Sequence, residues 1–382
     1  MKIYPVCFNG KIEKIVPIDG ADRIDQAWIS GWETIIAKDS LNVGDLVVIA
    51  TEGAVIPYEL AESLGITKYL KHKKGTNEYV VRTTKLKGVY SSAVIIAKNN
   101  VYEELENTEK AFGVYKYEEP LVDNNVNKTG IKNKNNRVKN LNFEVYYKFP
   151  NSKNVPNMFN ENDTVEVSRK IHGSNFRAGY LVKNKLSFWD KVKKFFGLLD
   201  DSNYYEFVYG SHSVQKISNS LNSGFYDTDI WASIVKKYNL ESELQFLYKY
   251  LNEFETENVG KGIEVYGELY GPGIQKYYDY GETELKMKVF DIQLNGKYLP
   301  TKVVKYYCGL CNLDYVDVLY TGQYNEDIIR SYQNKNYIND TKVPHEGVVV
   351  KSIDGNRNKI AKYISPEYLE FQGSKSDSTD FH

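Results

Sequence analysis

The sequence predicts an α+β protein in two domains, a small N-terminal β-barrel and a larger domain in which strands and amphipathic helices mix. At 382 residues the chain has room for two domains of ordinary size. Its first hundred residues break into short apolar runs punctuated by turn signals, the pattern of a small barrel. After an Asn/Lys-rich stretch, runs that alternate with period two are interleaved with runs of helical spacing.

Hydrophobic residues at 42% and aromatics at 14% supply the cores of both domains. No apolar run approaches the roughly 20 residues that span a bilayer, and "MKIYPVCFNGKIEKIV" lacks a secretory core. With three cysteines, Cys7, Cys308 and Cys311, a disulfide framework is not expected, and the reading is of a soluble, intracellular protein. "CGLC" (308–311) has no second pair to complete a zinc site and reads as two buried thiols.

In the barrel, "ADRIDQAWISGWETIIAKD" (21–39) offers two strands around Ser30-Gly31. "VGDLVVIATEGAVIP" (43–57) is a short apolar run bounded by Gly44-Asp45 and Pro57. "IPYELAESLGITKYL" (56–70) reads as a helix broken at Gly65, and "EYVVRTTKLKGVYSSAVIIA" (78–97) as two strands joined at Lys87-Gly88. Strands at this density in under 100 residues make the OB-fold the leading candidate.

The net charge of −1 averages over an uneven chain. Within 68–88, Lys68, Lys71, Lys73, Lys74, Arg82, Lys85 and Lys87 oppose Glu78, seven minus one, giving +6, with Tyr69, His72 and Tyr79 interleaved. Such a stripe suits phosphate contacts with base stacking, or else forms the solvated face of a hairpin.

Residues 123–142 have almost no apolar side chains and read as a linker, which divides the chain into a barrel domain (1–98), a connecting segment (99–142) and a second domain (143–382). In the second domain, 164–171, 262–271, 285–294 and 346–353 alternate as strands. Residues 226–254 carry Ile230, Ile234, Val235, Leu244, Leu247 and Leu251 at helical spacing, and 187–201 is an amphipathic helix expected to pack on its own domain.

"VSRKIHGSNFRAGY" (167–180) raises the functional question, because it places Lys170, His172, Gly173 and Asn175 within six residues. The plain reading is a strand running into a turn. The chemical reading makes Lys170 a covalent nucleophile, which needs neighbours that lower its pKa, neutralise a phosphate and hold a nucleotide. A carboxylate for a hard metal, another for a ribose hydroxyl, an aromatic for a base and a second lysine all occur downstream on strand-like segments.

"RKIHGSN" resembles motif I of the covalent nucleotidyltransferases, the ATP-dependent ligases and mRNA capping enzymes. "EVYGELYGPGIQ" (264–275) is similar to their motif III, "KVFDI" (288–292) to motif IIIa, "HEGVVVKS" (345–352) to motif IV and "KIAKYISPEYLE" (359–370) to motif V. The K-x-H-G-x-N form of motif I, and an N-terminal rather than C-terminal OB domain, resemble the RNA-ligase-2-like branch and its type-5 RNA ligases. The fold implied is an N-terminal OB-fold barrel followed by a nucleotidyltransferase domain of antiparallel sheets with flanking helices.

That resemblance implies catalytic roles for Lys170, Glu346 and Lys362, with Glu346 directed at the metal. It implies ATP or AMP contacts for His172, Gly173, Asn175, Glu268 (ribose), Phe290 (adenine), Lys351 and Lys362. His212, Lys216, Lys85 and Lys87 would contact RNA. The implied cofactors are ATP and Mg²⁺ or Mn²⁺, and the implied partner is RNA with 3′-OH and 5′-phosphate ends, nicked or annealed. The chain departs from the family pattern at Arg169, at Ile360 and at His212. A DNA ligase or guanylyltransferase of the same superfamily, and a non-catalytic RNA-binding protein, are the alternative readings.

Overall fold

The computed structural model describes residues 5–73, 75–98, 107–117, 140–184, 192–193, 204–212, 214–216, 229–252, 260–334, 336–339 and 341–376. In the N-terminal part, β1 (Cys7–Lys11), β2 (Lys14–Pro17), β3 (Ile24–Ile29), β4 (Trp32–Ala37), β5 (Leu46–Thr51) and β6 (Ala54–Pro57) precede helix α1 (Tyr58–Ser63). Then come β7 (Lys71–His72), β8 (Glu78–Val80), β9 (Thr84–Leu86), β10 (Val89–Ser91) and β11 (Ala93–Lys98). β5 lies between β1 and β11, β2-β3-β4 is an antiparallel meander, and β6, β8 and β7 share another sheet. Period-two alternation along β5 sets the architecture. Val47 and Ile49 face a core with Phe8, Ala27, Ile29 and Trp32, while Val48 and Ala50 face a second with Ala54, Ile56 and Val81.

The turns are those the residues favour. Ser30-Gly31 and Lys87-Gly88 have φ of 50° and 80°, and 50° and 85°, the paired left-handed conformations of a two-residue hairpin loop. The segment 78–97 holds four short strands rather than the two expected. The expected helix at 56–70 ends at Ser63, with Gly65 at φ 66° and a 3₁₀ turn over Thr67–Tyr69. Beyond residue 98, α2 (Thr108–Phe112) is capped by Asn107, and β12 (Tyr115–Lys116) pairs with β6. Thr108 donates to Cys7 O at 2.6 Å and Val114 is buried in the second core, so the barrel's packing continues to residue 117.

The C-terminal part comprises β13 (Thr164–Lys170), β14 (Ser174–Val182), β15 (Tyr205–Gly210), β16 (Gln215–Lys216), α3 (Ile230–Lys237), α4 (Leu240–Asn252), β17 (Gly262–Tyr270), β18 (Lys286–Leu294) and β19 (Lys297–Tyr298). It continues through α5 (Thr301–Leu310), β20 (Val318–Gln323), α6 (Glu326–Gln333), β21 (Gly347–Ser352), β22 (Ile360–Ile364) and α7 (Pro366–Ser376). Two antiparallel sheets result, one in the order β20-β13-β21-β22 and the other β16-β15-β14-β17-β18-β19. The helical spacing within 226–254 is realised as two helices, broken at Asn239, which takes the left-handed conformation asparagine tolerates (φ 49°). Ile234, Leu240, Leu244 and Leu247 bury themselves on Phe176, Ile263, Val265 and Val289 of the larger sheet. Burial of each such side chain contributes about 1.5–3 kcal/mol.

Cys308 and Cys311 are buried free thiols, and burial pushes both up to about 12. Apart from residues 192–193, the amphipathic stretch 187–201 lies outside the described residues, as does 123–139 of the linker. Asn140 is already buried, donating to Val182 O and Glu206. Among the described residues no helix is long and apolar enough to cross a membrane.

Candidate active site

The chain passes from the four-stranded to the six-stranded sheet between β13 and β14, and Lys170, His172 and Gly173 occupy that crossing. Register then brings partners from both sheets. Lys170 stands opposite Gly347 and Val349 opposite Lys362 in one sheet, while Asn175 stands opposite Glu268 in the other. A cavity of about 710 Å³ opens between the sheets, with Lys170, Asn175, Glu268, Phe290, Lys351 and Lys362 on its walls.

Lys170 Nζ lies 2.9 Å from Glu346 Oε2, and its side chain is 23% exposed. The contact is a close ion pair. Burial acts to lower the lysine's pKa, but Glu346 and then Glu268 outweigh it and hold the amine above the usual lysine range. Burial pushes the Glu268 carboxyl up to about 8, with Lys170 opposing. Lys362 is pushed down by burial and by the nearby charge of Lys170, and Lys351 by burial.

Glycine is required at 173. A Cβ there would sit 2.1 Å from Leu269 O and 2.9 Å from Glu268 Cγ, so the crossing strand could not approach β17. Gln275 donates to Gly173 O at 3.0 Å. His172 is oriented from several directions. Its backbone N–H donates to Tyr280 OH at 2.7 Å, its Nδ1 lies 3.2 Å from Tyr368 OH and 3.8 Å from Glu346, and Tyr278 packs edge-on at 4.7 Å. Burial, with Lys170 adding to it, keeps this imidazole below the usual histidine range.

A β-bulge at Phe290 turns it and its neighbour Asp291 toward the same residue, Tyr146. Phe290 faces the cavity and meets the Tyr146 ring at 4.9 Å. Asp291, which stands opposite Tyr266 on the same face, forms a buried pair with Arg357 at 2.6 and 2.7 Å and accepts from Tyr146 OH at 2.8 Å. Lys351 donates to Phe290 O at 2.6 Å. Asn175 Oδ1 and Glu346 Oε2 are buried without a hydrogen-bond partner. Asn175 Oδ1 is thus left for a ligand to satisfy, whereas Glu346 Oε2 already meets the Lys170 ammonium at 2.9 Å.

The residues read as RNA contacts are dispersed. His212 lines the cavity. Lys216 does not; it pairs with Asp229 at 4.0 Å and covers the Trp231 ring at 4.5 Å. Lys85 and Lys87 are on the β9-β10 hairpin, where Lys85 lies over Tyr90 at 5.0 Å. Arg177, one of the two arginines flanking the lysine motif, is structural, donating to Phe143 O, Glu144 O and Ser211 O.

The cavity also has walls that sequence reasoning missed. Tyr146, Lys148 and Phe149 come from an irregular segment with no periodicity to read, and Trp32, Glu52, Ser92 and Lys116 come from the barrel side. "YYKF" (146–149), an aromatic cluster around a lysine, was the one available signal.

Two family models match the chain. One described as RNA ligase covers residues 163–364, more than half of the chain, and one described as an OB-fold domain covers residues 8–97. No curated protein matches. Among solved structures, a lysine-to-alanine variant of the Naegleria gruberi RNA ligase with ATP and Mn is similar with a TM-score of 0.68 and 18% identity, covering 96% of this chain and 98% of that one. The same ligase with PPi gives 0.68 and 18%, over 97% and 100%. A glutamate-to-alanine variant with ATP and Mn gives 0.69 and 18%, over 96% and 99%. At that identity the likeness is one of fold.

Proposed function

We propose that this chain, which belongs to the RNA ligase family, is an ATP-dependent RNA ligase that joins a 3′-OH to a 5′-phosphate end through a lysyl-AMP on Lys170. The observation that carries the reading is the convergence of Lys170, Glu268, Phe290 and Lys362 on one cavity, with Glu346 paired to the lysine at its edge. The orphaned Asn175 Oδ1 fits a polar ligand in the same place.

Lys170 Nζ, once deprotonated, attacks the α-phosphorus of ATP and pyrophosphate departs. The AMP passes to the RNA 5′-phosphate, and the adjacent 3′-OH then displaces it as the strand is sealed. Glu268 holds the ribose hydroxyls, Phe290 stacks on adenine, and Lys362 faces the charge that develops on the transferring phosphate. Lys351, anchored on Phe290 O, fixes the aromatic's strand and adds positive charge to the wall. His172, held by Tyr280, Tyr368 and Tyr278, sets the turn that aims Lys170.

The donor set fits a hard divalent cation. Glu346 offers a carboxylate beside the proposed nucleophile, and among the described residues no cluster of three or more His, Cys, Asp or Glu would hold a metal without substrate. One carboxylate with phosphate oxygens and water is how Mg²⁺ is commonly bound. Glu346 would hold Mg²⁺ or Mn²⁺, which supplies positive charge that disfavours the lysine's proton and neutralises phosphate. In the metal-free protein Glu346 does the opposite, retaining the proton on Lys170.

The test is sealing of a nicked RNA duplex bearing a 5′-phosphate, with ATP and either metal, beside a nicked DNA duplex and a GTP control. The reading expects ATP-dependent joining of the RNA nick, abolished in Lys170→Ala. Joining of DNA alone, or use of GTP, would transfer the site to another member of the superfamily. Binding of RNA without joining would make the chain an RNA-binding protein.

A further inference from the structure

We propose that the N-terminal barrel positions Lys362 through a buried latch at Lys153, which makes Lys153 a positioning residue for adenylylation. The inference rests on the ligase reading above. Lys153 belongs to the C-terminal part, in a 3₁₀ turn over Ser152–Asn154, yet everything its amine touches comes from the barrel. Nζ lies 2.5 Å from Glu33 Oε2 and 3.1 Å from Ser92 Oγ, and it sits 5.1 Å over the Trp32 ring. The pair is shielded, with 11% of the Lys153 side chain and 18% of the Glu33 side chain exposed. Burial would raise the Glu33 carboxyl, but Lys153 holds it below the usual range. A shielded pair of this kind keeps its geometry where an exposed one would exchange partners with water.

The other end of the turn reaches the catalytic strand. β22 is an edge of its sheet, paired with β21 on one side. On its open side the Lys362 N–H donates to Pro150 O at 3.0 Å, and Asn151 bridges Lys362 in parallel. Asn151 Oδ1 in turn accepts from the Lys153 N–H at 3.1 Å. The backbone of Lys362 is therefore braced on its free side by the segment that Glu33 holds down. An edge strand without that brace would leave its N–H to water and its side chain less fixed.

A second barrel contact follows the same logic. Tyr90 OH donates to Glu370 at 3.2 Å, on the helix α7 whose Tyr368 and Gln372 approach the two ring nitrogens of His172. Both contacts end on elements that carry cavity residues. Docking of the barrel is thus part of assembling the site.

The test measures single-turnover lysyl-AMP formation at saturating ATP in the full chain, for wild type, Lys153→Ala, Lys153→Arg, Glu33→Gln and the Glu33→Gln/Lys153→Ala pair. In parallel, amide exchange is read on the peptide spanning 360–364 without ATP. Displacement of a positioned group by about 1 Å can cost up to about 100-fold in rate. Lys153→Ala and Glu33→Gln are each expected to slow the step by about tenfold or more, with little change in the ATP KM. The pair should be no slower than the worse single variant, Lys153→Arg should recover most of the rate, and Lys362 amide exchange should quicken in both singles. Rates within about twofold of wild type, or unchanged exchange at 360–364, would overturn the proposal. If the wild type forms no lysyl-AMP, the ligase reading fails by itself, and the exchange arm still decides whether the latch braces β22. Glu33→Gln, which keeps shape and an acceptor, serves if Lys153→Ala does not fold.

Discussion

Lys170 Nζ and Glu346 Oε2 stand 2.9 Å apart, so the nitrogen proposed as nucleophile is paired with a carboxylate that holds its proton. The amine is above the usual lysine range, chiefly because Glu346 and Glu268 overcome burial. At neutral pH it is therefore protonated, and each unit of pH upward multiplies its reactive neutral form by about ten until the lysine's own pKa is reached. The adenylylation rate is predicted to rise with pH across the neutral range. A pH–rate profile that is flat there would contradict the pairing as the source of control.

Gly173→Ala is expected to be severe, since the new methyl would meet the backbone carbonyl of Leu269 at 2.1 Å. The clash is predicted to cost about 1–3 kcal/mol of stability and to misplace Lys170. Thermal melting with an adenylylation assay checks both halves. A variant that melts and adenylylates like wild type would contradict the close approach to β17.

The buried pair of Asp291 with Arg357 anchors Tyr146, a wall of the cavity, beside Phe290. Asp291→Ala would strand the Arg357 charge and free Tyr146 from its anchor, and is expected to cost about 3–5 kcal/mol. Urea unfolding should register the loss as a lower midpoint with an unchanged slope. Asp291→Asn, which keeps an acceptor, should lose less.

Much of the site was legible because its residues sit on alternating strands, β18 keeping its alternation up to the bulge at Phe290. Lys170, Glu268, Phe290 and Lys362 each fall at the parity that faces the cavity, and the turn at Gly173 was plain from its residue type. The barrel was legible for a similar reason, with turns at Ser30-Gly31 and Lys87-Gly88 that only left-handed backbones can make. What the sequence hid depends on contacts far apart in the chain. Lys216 read as an RNA contact until folding placed it on Asp229 and Trp231. Trp32 and Lys153 are ordinary surface or core residues until docking puts them on the same cavity. The extension of the barrel past residue 98 rests on two short elements with too few residues for a period to emerge.

The β9-β10 hairpin presents Lys85 and Lys87, of the basic stripe, to solvent. If they grip phosphates, Lys85→Ala/Lys87→Ala should weaken RNA binding uniformly across sequences. It should also reduce the slope of log affinity against log salt by about 1–2. A salt titration of binding decides it, and an unchanged slope would make the stripe a solvated face.

The central claim is a covalent lysyl-AMP on Lys170, and the intact mass of the purified protein after incubation with ATP and Mn²⁺ tests it most directly. The account predicts an added AMP on the wild type that is missing from Lys170→Ala. A wild-type mass that never shifts with either Mn²⁺ or Mg²⁺, in protein shown beforehand to carry no AMP, would contradict it.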